Sequence, residues 1–345
     1  MRVKRIPFLN TLKSVSPGLS KREIVEQSSC FVFSNNRVTT YNDEIACSSE
    51  CEIGLEGAVQ AEPLIAILDK LVEDDLEIKE GEGELLYRGT KREGGIRMES
   101  EILLPVDDVE QPTKKDKWVE LADEFADAVN IVGKCAGKDA SNFNLTCIHI
   151  YPKWVEAYDN LQVARYKVRT GVQEATLVRR DSIKHIQQLG MTHIAATKSW
   201  LHFKNSEGLV MSCRRYLRDE LDTTAMLDVD TLLDVHGTEA TLPKGLEEAA
   251  QKAEVFSQDN SDDNLVTVEL RKGKIRITGR GVSGWYRETK TTDYAGSPLA
   301  FKIDPTLLAE ITERHKSCEI TEERLKVTSA KFVYVTCLGD MEEKA

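Results

Sequence analysis

Residues Trp154–Arg165 read WVEAYDNLQVAR: a strand-like run, a polar turn at Tyr158-Asp159-Asn160, and a second strand-like run. An earlier stretch, Arg37–Ser48, reads RVTTYNDEIACS and lines up with it without a gap, tyrosine on tyrosine. Two hairpins of one design in one chain signal an internal repeat, and a repeat governs how everything around it is parsed.

Working outward from the two hairpins gives six similar units, each a short helical pattern followed by two or more strand-like runs. They start near positions 7, 61, 117, 177, 243 and 302. The expected helices are Pro7–Val15, Pro63–Val72, Trp118–Val132, Arg179–Gly190, Pro243–Phe256 and Asp304–His315. Pro63 and Pro305 suit a first turn, Asp181 and Asp304 suit N-caps, and Gly190 suits a C-cap. Units taken in pairs make three tandem domains, 1–112, 113–240 and 241–345, joined at the polar, proline-containing segments Pro105–Lys117 and Val235–Gly245. Helices with antiparallel hairpins, and no alternation of buried parallel strands with helices, predict the α+β class.

One motif competes with this parsing. Ile277–Trp285, ITGRGVSGW, spells G-x-G-x-x-G after a strand-like run, the opening of a dinucleotide-binding unit. Such a unit needs a helix directly afterwards to face the pyrophosphate. The next residues, WYRETKTTDY, have no helical apolar face, so Gly279, Gly281 and Gly284 are expected to serve a turn and a sheet. The chain also lacks a phosphate-binding G-x-x-x-x-G-K-[ST] loop, an H-E-x-x-H zinc motif and a G-x-S-x-G nucleophile motif. Its six histidines form no i, i+4 pair and its eight cysteines no C-x-x-C. No metal, no cofactor and no catalytic residue is expected, and the cysteines read as free thiols in a reducing cytoplasm.

The 345 residues are 41% hydrophobic and 30% charged, with a net charge of −12. No apolar run reaches the roughly 18 residues of a membrane span, and no apolar signal core follows the basic start MRVKRIPFLN, so a cytoplasmic protein without a membrane partner is expected. The charge is uneven: Met1–Arg22 holds six basic residues and no acid, whereas Glu73–Glu84 holds seven acids and one lysine. Lys13, Lys21, Arg22, Lys70, Lys134, Lys138, Arg179, Arg180, Lys184, Lys252, Arg314 and Lys316 fall on the helical segments or the loops after them. Taken singly, each is an ordinary solvated charge. If repeated units set their helices on one side, together they form a continuous basic lining suited to a sequence-independent grip on phosphates.

The ordered set of segments resembles the bacterial DNA polymerase III beta subunit family, the sliding clamps, over the whole length. The likeness is carried by SPGLSKREIVEQSSCFVFSNNRVTTYNDEIACS, WVEAYDNLQVAR, VRRDSIKHIQQLG and the final LAFKIDPTLLAEITERHKSCEITEERLKVTSAKFVYVTCL. It implies a DNA clamp fold that closes into a ring as a head-to-tail homodimer, with helices around double-stranded DNA and sheets outside. It implies no enzymatic activity, and partners (DNA polymerase and clamp-loader subunits) that dock short peptides in a cleft. Tyr158, Asn160, Val163, His236, Leu242, Val335, Thr336 and Leu338 match that cleft, although Asn160-Leu161 and the ending VYVTCLGDMEEKA depart from the family pattern. Val255 and Phe256 match the family's apolar inter-chain contact, and Ile96 and Met98 are the candidates opposite them. The alternative is a protein-binding scaffold of the same fold that never encircles DNA.

Overall fold

The structure, a computed structural model, describes residues 1–113, 116–138, 142–218, 228–258, 264–321 and 323–340. Most of the acidic loop after the fifth expected helix, and the last residues of the acidic C-terminal tail, lie outside the described residues. Helices α1 (Arg5–Val15), α2 (Ala61–Lys70), α3 (Phe125–Gly133), α4 (Arg180–Ile183), α5 (Val229–Leu233), α6 (Leu246–Ser257) and α7 (Pro305–Arg314) alternate with antiparallel strands, so the class is α+β. The chain divides into two compact units, one of residues 1–126 with 169–221, the other of 127–168 with 222–345.

The first unit is built on a twelve-stranded antiparallel sheet. Its strand Cys30–Ser34 is buried along both faces. On one face Phe33 meets Phe8 of α1, with ring centroids 6.4 Å apart. On the other, Cys30 and Val32 join Tyr41, Leu104, Val109 and Trp200 in a second apolar cluster. α1 buries Phe8, Leu9, Leu12 and Val15 at helical spacing, the stripe that sequence periodicity predicts. Arg5 closes the adjoining end of α2, donating from Nη1 to the Leu68 carbonyl and from Nε to the Glu73 carbonyl, each at 2.9 Å. Carbonyls at a helix C-terminus lack partners within the helix, and a cation there satisfies both hydrogen bond and dipole.

In the second unit a run of antiparallel strands, Cys147–Tyr151, Trp154–Tyr158, Gln162–Lys167, Phe332–Cys337, Arg324–Thr328, Ser317–Ile320 and Thr238–Thr241, forms one sheet. A five-stranded sheet runs in the order Gly284–Thr291, Lys274–Gly281, Val266–Arg271, Leu299–Ile303, Gly339–Asp340. α7 begins as the sequence predicts: the Asp304 carboxylate accepts the N–H groups of Thr306 and Leu307 at 2.8 and 3.0 Å, with Pro305 in the first turn.

The two hairpins that revealed the repeat share one register. Tyr41 pairs with Ala46, and Tyr158 with Val163, each across a four-residue connection. Asn42 and Asp159 make the same turn: each side-chain oxygen accepts an N–H three residues on, Ile45 and Gln162 respectively, at 2.9 Å.

Three helix expectations are corrected. Trp118–Glu124 is not the start of α3, because Val119–Glu120 pairs with His193–Ile194 as a strand and Trp118 takes the Lys204 ammonium on its ring, 4.6 Å from the centroid. The expected helix over Arg179–Gly190 is regular only through α4. Asp181 lies inside α4 rather than capping it, paired with Arg180 and Lys184 at 3.3 and 3.2 Å. Gly190, at φ +60°, does occupy the left-handed conformation of a terminating glycine. α5 was not expected at all.

Candidate functional site

The matched cleft residues fall in the second unit, where strand Gln162–Lys167 pairs with Phe332–Cys337 so that Val163 lies opposite Val335. Tyr158, at the end of the neighbouring strand, completes an apolar surface with Leu145. α5 lies on this surface: Val229 and Val235 are buried in it, and Leu232 and Leu233 pack against it. Tyr158, Val163 and Val335 are consequently only 2, 3 and 4% exposed.

The other matched residues spread around this centre. Thr336 is buried and donates from its hydroxyl to the Leu161 carbonyl. Asn160 is exposed on the turn. Leu338 is half-buried, its N–H held by the Glu323 carbonyl at 2.7 Å. His236 is exposed, paired with Asp234 at 3.1 Å, and borders an open cavity of about 450 Å³ with Thr321, Glu323 and Arg324. Leu242 belongs elsewhere: it lines an apolar interior with Leu246, Val268, Phe301 and Ile311. The structure thus unites Tyr158, Val163 and Val335 and separates Leu242 from them.

A polar network that sequence reading missed ties α5 to the sheet. Arg165 donates from Nε to Glu156 at 2.7 Å and from Nη1 to Asp230 of α5 at 2.6 Å. Glu156 is 2% exposed and also accepts from Trp154 Nε1 at 3.0 Å, while the Arg165 guanidinium lies 5.0 Å from the Trp154 ring centroid. Burial raises the Glu156 pKa above the usual carboxylate range, and Arg165 offsets part of that. Beyond the helix, Lys326 Nζ donates to the Val235 carbonyl at 2.9 Å. The available signal was the pattern Asp228-Val-Asp-Thr-Leu-Leu-Asp-Val235, an N-cap aspartate before a short apolar face. Asp228 does cap α5, accepting from the Thr231 hydroxyl at 2.7 Å.

Half of the twelve expected basic residues are neutralised where they stand. Lys13 pairs with Asp69 at 2.8 Å, Arg179 with Glu44 at 3.3 Å, and Arg180 and Lys184 with Asp181. Lys134 pairs with Glu310, and Lys252 reaches Glu248 and Glu288 at 3.8 Å. Lys21, Arg22, Lys70, Lys138, Arg314 and Lys316 have no carboxylate partner among the described residues. The second unit also departs from the expected basic face: α6 and α7 carry Glu247, Glu248, Glu254, Glu310 and Glu313 against Lys252 and Arg314. The expected cations without a carboxylate partner among the described residues are divided between the units: Lys21, Arg22 and Lys70 in the first, Lys138, Arg314 and Lys316 in the second.

The candidate inter-chain residues divide as well. Val255 is 62% exposed and Phe256 half-buried beside Gly284. Strand Gly284–Thr291 stands at the edge of its sheet, with Trp285 57% exposed on it and Val282 91% exposed at the hairpin tip. Ile96 and Met98 are corrected to core residues of the first unit, 8 and 5% exposed, because alternate residues of Glu93–Glu99 turn inward. The strand itself remains open: it pairs with Glu84–Arg88 on one side and meets Gly57–Gln60 only at Met98 and Glu99 on the other.

Comparison with protein-family models and with curated proteins gives no match. Comparison with solved structures does. The sliding clamp (DNA polymerase III subunit beta) of Pseudomonas aeruginosa bound to griselimycin is 15% identical, with a TM-score of 0.71 and 99% of each chain covered. The DNA polymerase III beta subunit of Thermotoga maritima is 13% identical at a TM-score of 0.73. The Bartonella birtlesii sliding clamp, also bound to griselimycin, is 13% identical at 0.74. Both of these comparisons again cover 99% of each chain. The chain has the fold of the DNA polymerase III beta-subunit sliding clamps over essentially its whole length.

Proposed function

We propose that this chain is a DNA sliding clamp, a non-catalytic processivity factor that closes as a homodimeric ring around duplex DNA and tethers a polymerase through short peptides. The observation that carries the reading is the match of 99% of the chain to solved sliding clamps at TM-scores of 0.71 and 0.73. Three domains, 1–112, 113–240 and 241–345, are the functional divisions on this reading. The middle one supplies residues to both compact units.

Two features support the ring. The edge strand Gly284–Thr291, beside exposed Val255 and Trp285, and the open side of Glu93–Arg97 each offer unpaired backbone to a second copy, and an open strand edge is a ready template for pairing. The duplex is held through phosphates without base reading, chiefly by the cations with no carboxylate partner among the described residues: Lys21, Arg22, Lys70, Lys138, Arg314 and Lys316. The chain's overall net charge of −12 discourages attachment to the outside of DNA. Partner peptides dock at the Tyr158–Val163–Val335 surface. Mass in solution tests the ring: the account expects twice the 38.7 kDa of the chain at micromolar concentration, and a strict monomer overturns it.

A further inference from the structure

We propose that α5 is a latched cover over the peptide surface, that the Arg165–Asp230 ion pair is its latch, and that the incoming partner segment copies α5, presenting a carboxylate to Arg165 and two adjacent aliphatic side chains to Tyr158, Val163 and Val335. The proposal rests on the cleft reading given above and adds to it the closed state and the chemistry of the occupant.

Three observations carry it. The surface is covered: Tyr158, Val163 and Val335 are 2 to 4% exposed, and Val229, Leu232 and Leu233 of α5 and Val235 just after it pack with them, together with Leu145. No peptide reaches them while α5 stays in place. Second, α5 does not hold itself there. Five residues are far too few for a helix stable on its own. Among the described residues its position depends on its apolar face and on two polar ties, Asp230 to Arg165 and the Val235 carbonyl to Lys326. Asp230 is 82% exposed, so its pairing is worth little and breaks readily. Third, Arg165 stays in place when Asp230 leaves, because Glu156 and the Trp154 ring hold its other side. Displacement of α5 therefore uncovers a prepositioned guanidinium beside an apolar surface, which is the complement of an acid followed by two aliphatic residues. Asp230, Leu232 and Leu233 already show that complement seated.

The test uses the full chain and a fluorescent peptide copying residues 228–235, DVDTLLDV, with two control peptides. One control has Asn in place of the central Asp, the other has Ser in place of both Leu. The protein is compared with its Asp230→Asn variant, which keeps shape at an exposed position. Loss of the latch raises the open fraction, so the variant is expected to bind the DVDTLLDV peptide about three- to fivefold tighter than the parent. On either protein the Asn control binds more weakly than the Asp peptide, by a margin that shrinks with added salt, and the Ser control does not bind. Equal or weaker binding by Asp230→Asn overturns the latch. Equal binding of the Asp and Asn peptides overturns the acidic partner, and no binding of any peptide overturns both. Capture of circular DNA is independent of all three results, so a failed cover and a failed clamp are distinguishable.

Discussion

Gly279 lies directly under the backbone of Ala253: a Cβ built on Gly279 would sit 1.9 Å from the Ala253 carbonyl oxygen. The middle of α6 thus rests on strand Lys274–Gly281 at a distance only glycine permits. Gly284, at φ +152°, opens the next strand beside Phe256. These two glycines of the nucleotide-like fingerprint serve helix-on-sheet contact and a hairpin. Gly279→Ala is expected to destabilise the protein by about 3 kcal/mol, since a backbone atom must move. Gly273→Ala, in open space at φ +71°, costs about 1 kcal/mol. Denaturant midpoints of the two variants check the order.

Arg165→Met leaves Glu156 buried without its cation, at an expected cost of about 3 to 5 kcal/mol at pH 7. Burial already raises the Glu156 pKa in the intact protein, and losing Arg165 raises it further. The penalty applies only to the ionised form. It is full above the folded pKa and shrinks as falling pH protonates the carboxyl. Unfolding at pH 7 and pH 5 should therefore show a smaller deficit at pH 5. An equal deficit at both would mean that another group is left uncompensated.

His202 is fully buried, bonded to the Ser212 hydroxyl at 2.8 Å and the Thr197 hydroxyl at 3.1 Å. Burial lowers its pKa from 6.5 to about 4. The unfolded chain binds a proton between those values and the folded chain does not, so stability is complete above pH 6.5 and is lost as pH falls toward 4. Relative to the parent, His202→Gln should gain about 3 kcal/mol between pH 7 and pH 4. Parallel stability profiles for the two proteins would contradict this.

Salt dependence tests the proposed DNA grip by comparing unpaired cations with those already neutralised. Replacing Lys21 and Arg22 by Ala is expected to lower the slope of log K against log salt by about 1.8, two phosphate contacts' worth. Lys134→Ala, whose ammonium is held by Glu310, should change it far less. Fluorescence anisotropy with a labelled duplex measures both.

Much of this was legible in the sequence because local signals agreed with the fold. The apolar spacing of Phe8, Leu9, Leu12 and Val15 gave α1 its buried face, Asp304-Pro305 gave α7 its start, and the two Tyr hairpins gave the repeat. What escaped depended on partners far along the chain. Trp118–Glu124 has helical spacing, yet His193–Ile194 recruits Val119–Glu120 into a sheet. α5 is too short to leave a periodic signature and exists through contacts with strands 62 to 108 residues away. Lys13 and Lys134 read as free cations until folding brings Asp69 and Glu310 to them. The likeness pointed to Tyr158, Val163 and Val335, which share one apolar cluster, but not to Arg165 and Asp230, because an ion pair across 65 residues leaves no mark in local sequence.

The central claim is that two copies close around duplex DNA, and topological retention tests it most directly. The chain would be diluted to monomers, concentrated again in the presence of nicked circular duplex, and washed in salt high enough to break phosphate contacts. The account predicts that protein stays with the circle through gel filtration and is lost when one restriction cut linearises it. Equal retention on circular and linear DNA, or no retention on the circle by a protein shown to be dimeric, would contradict it.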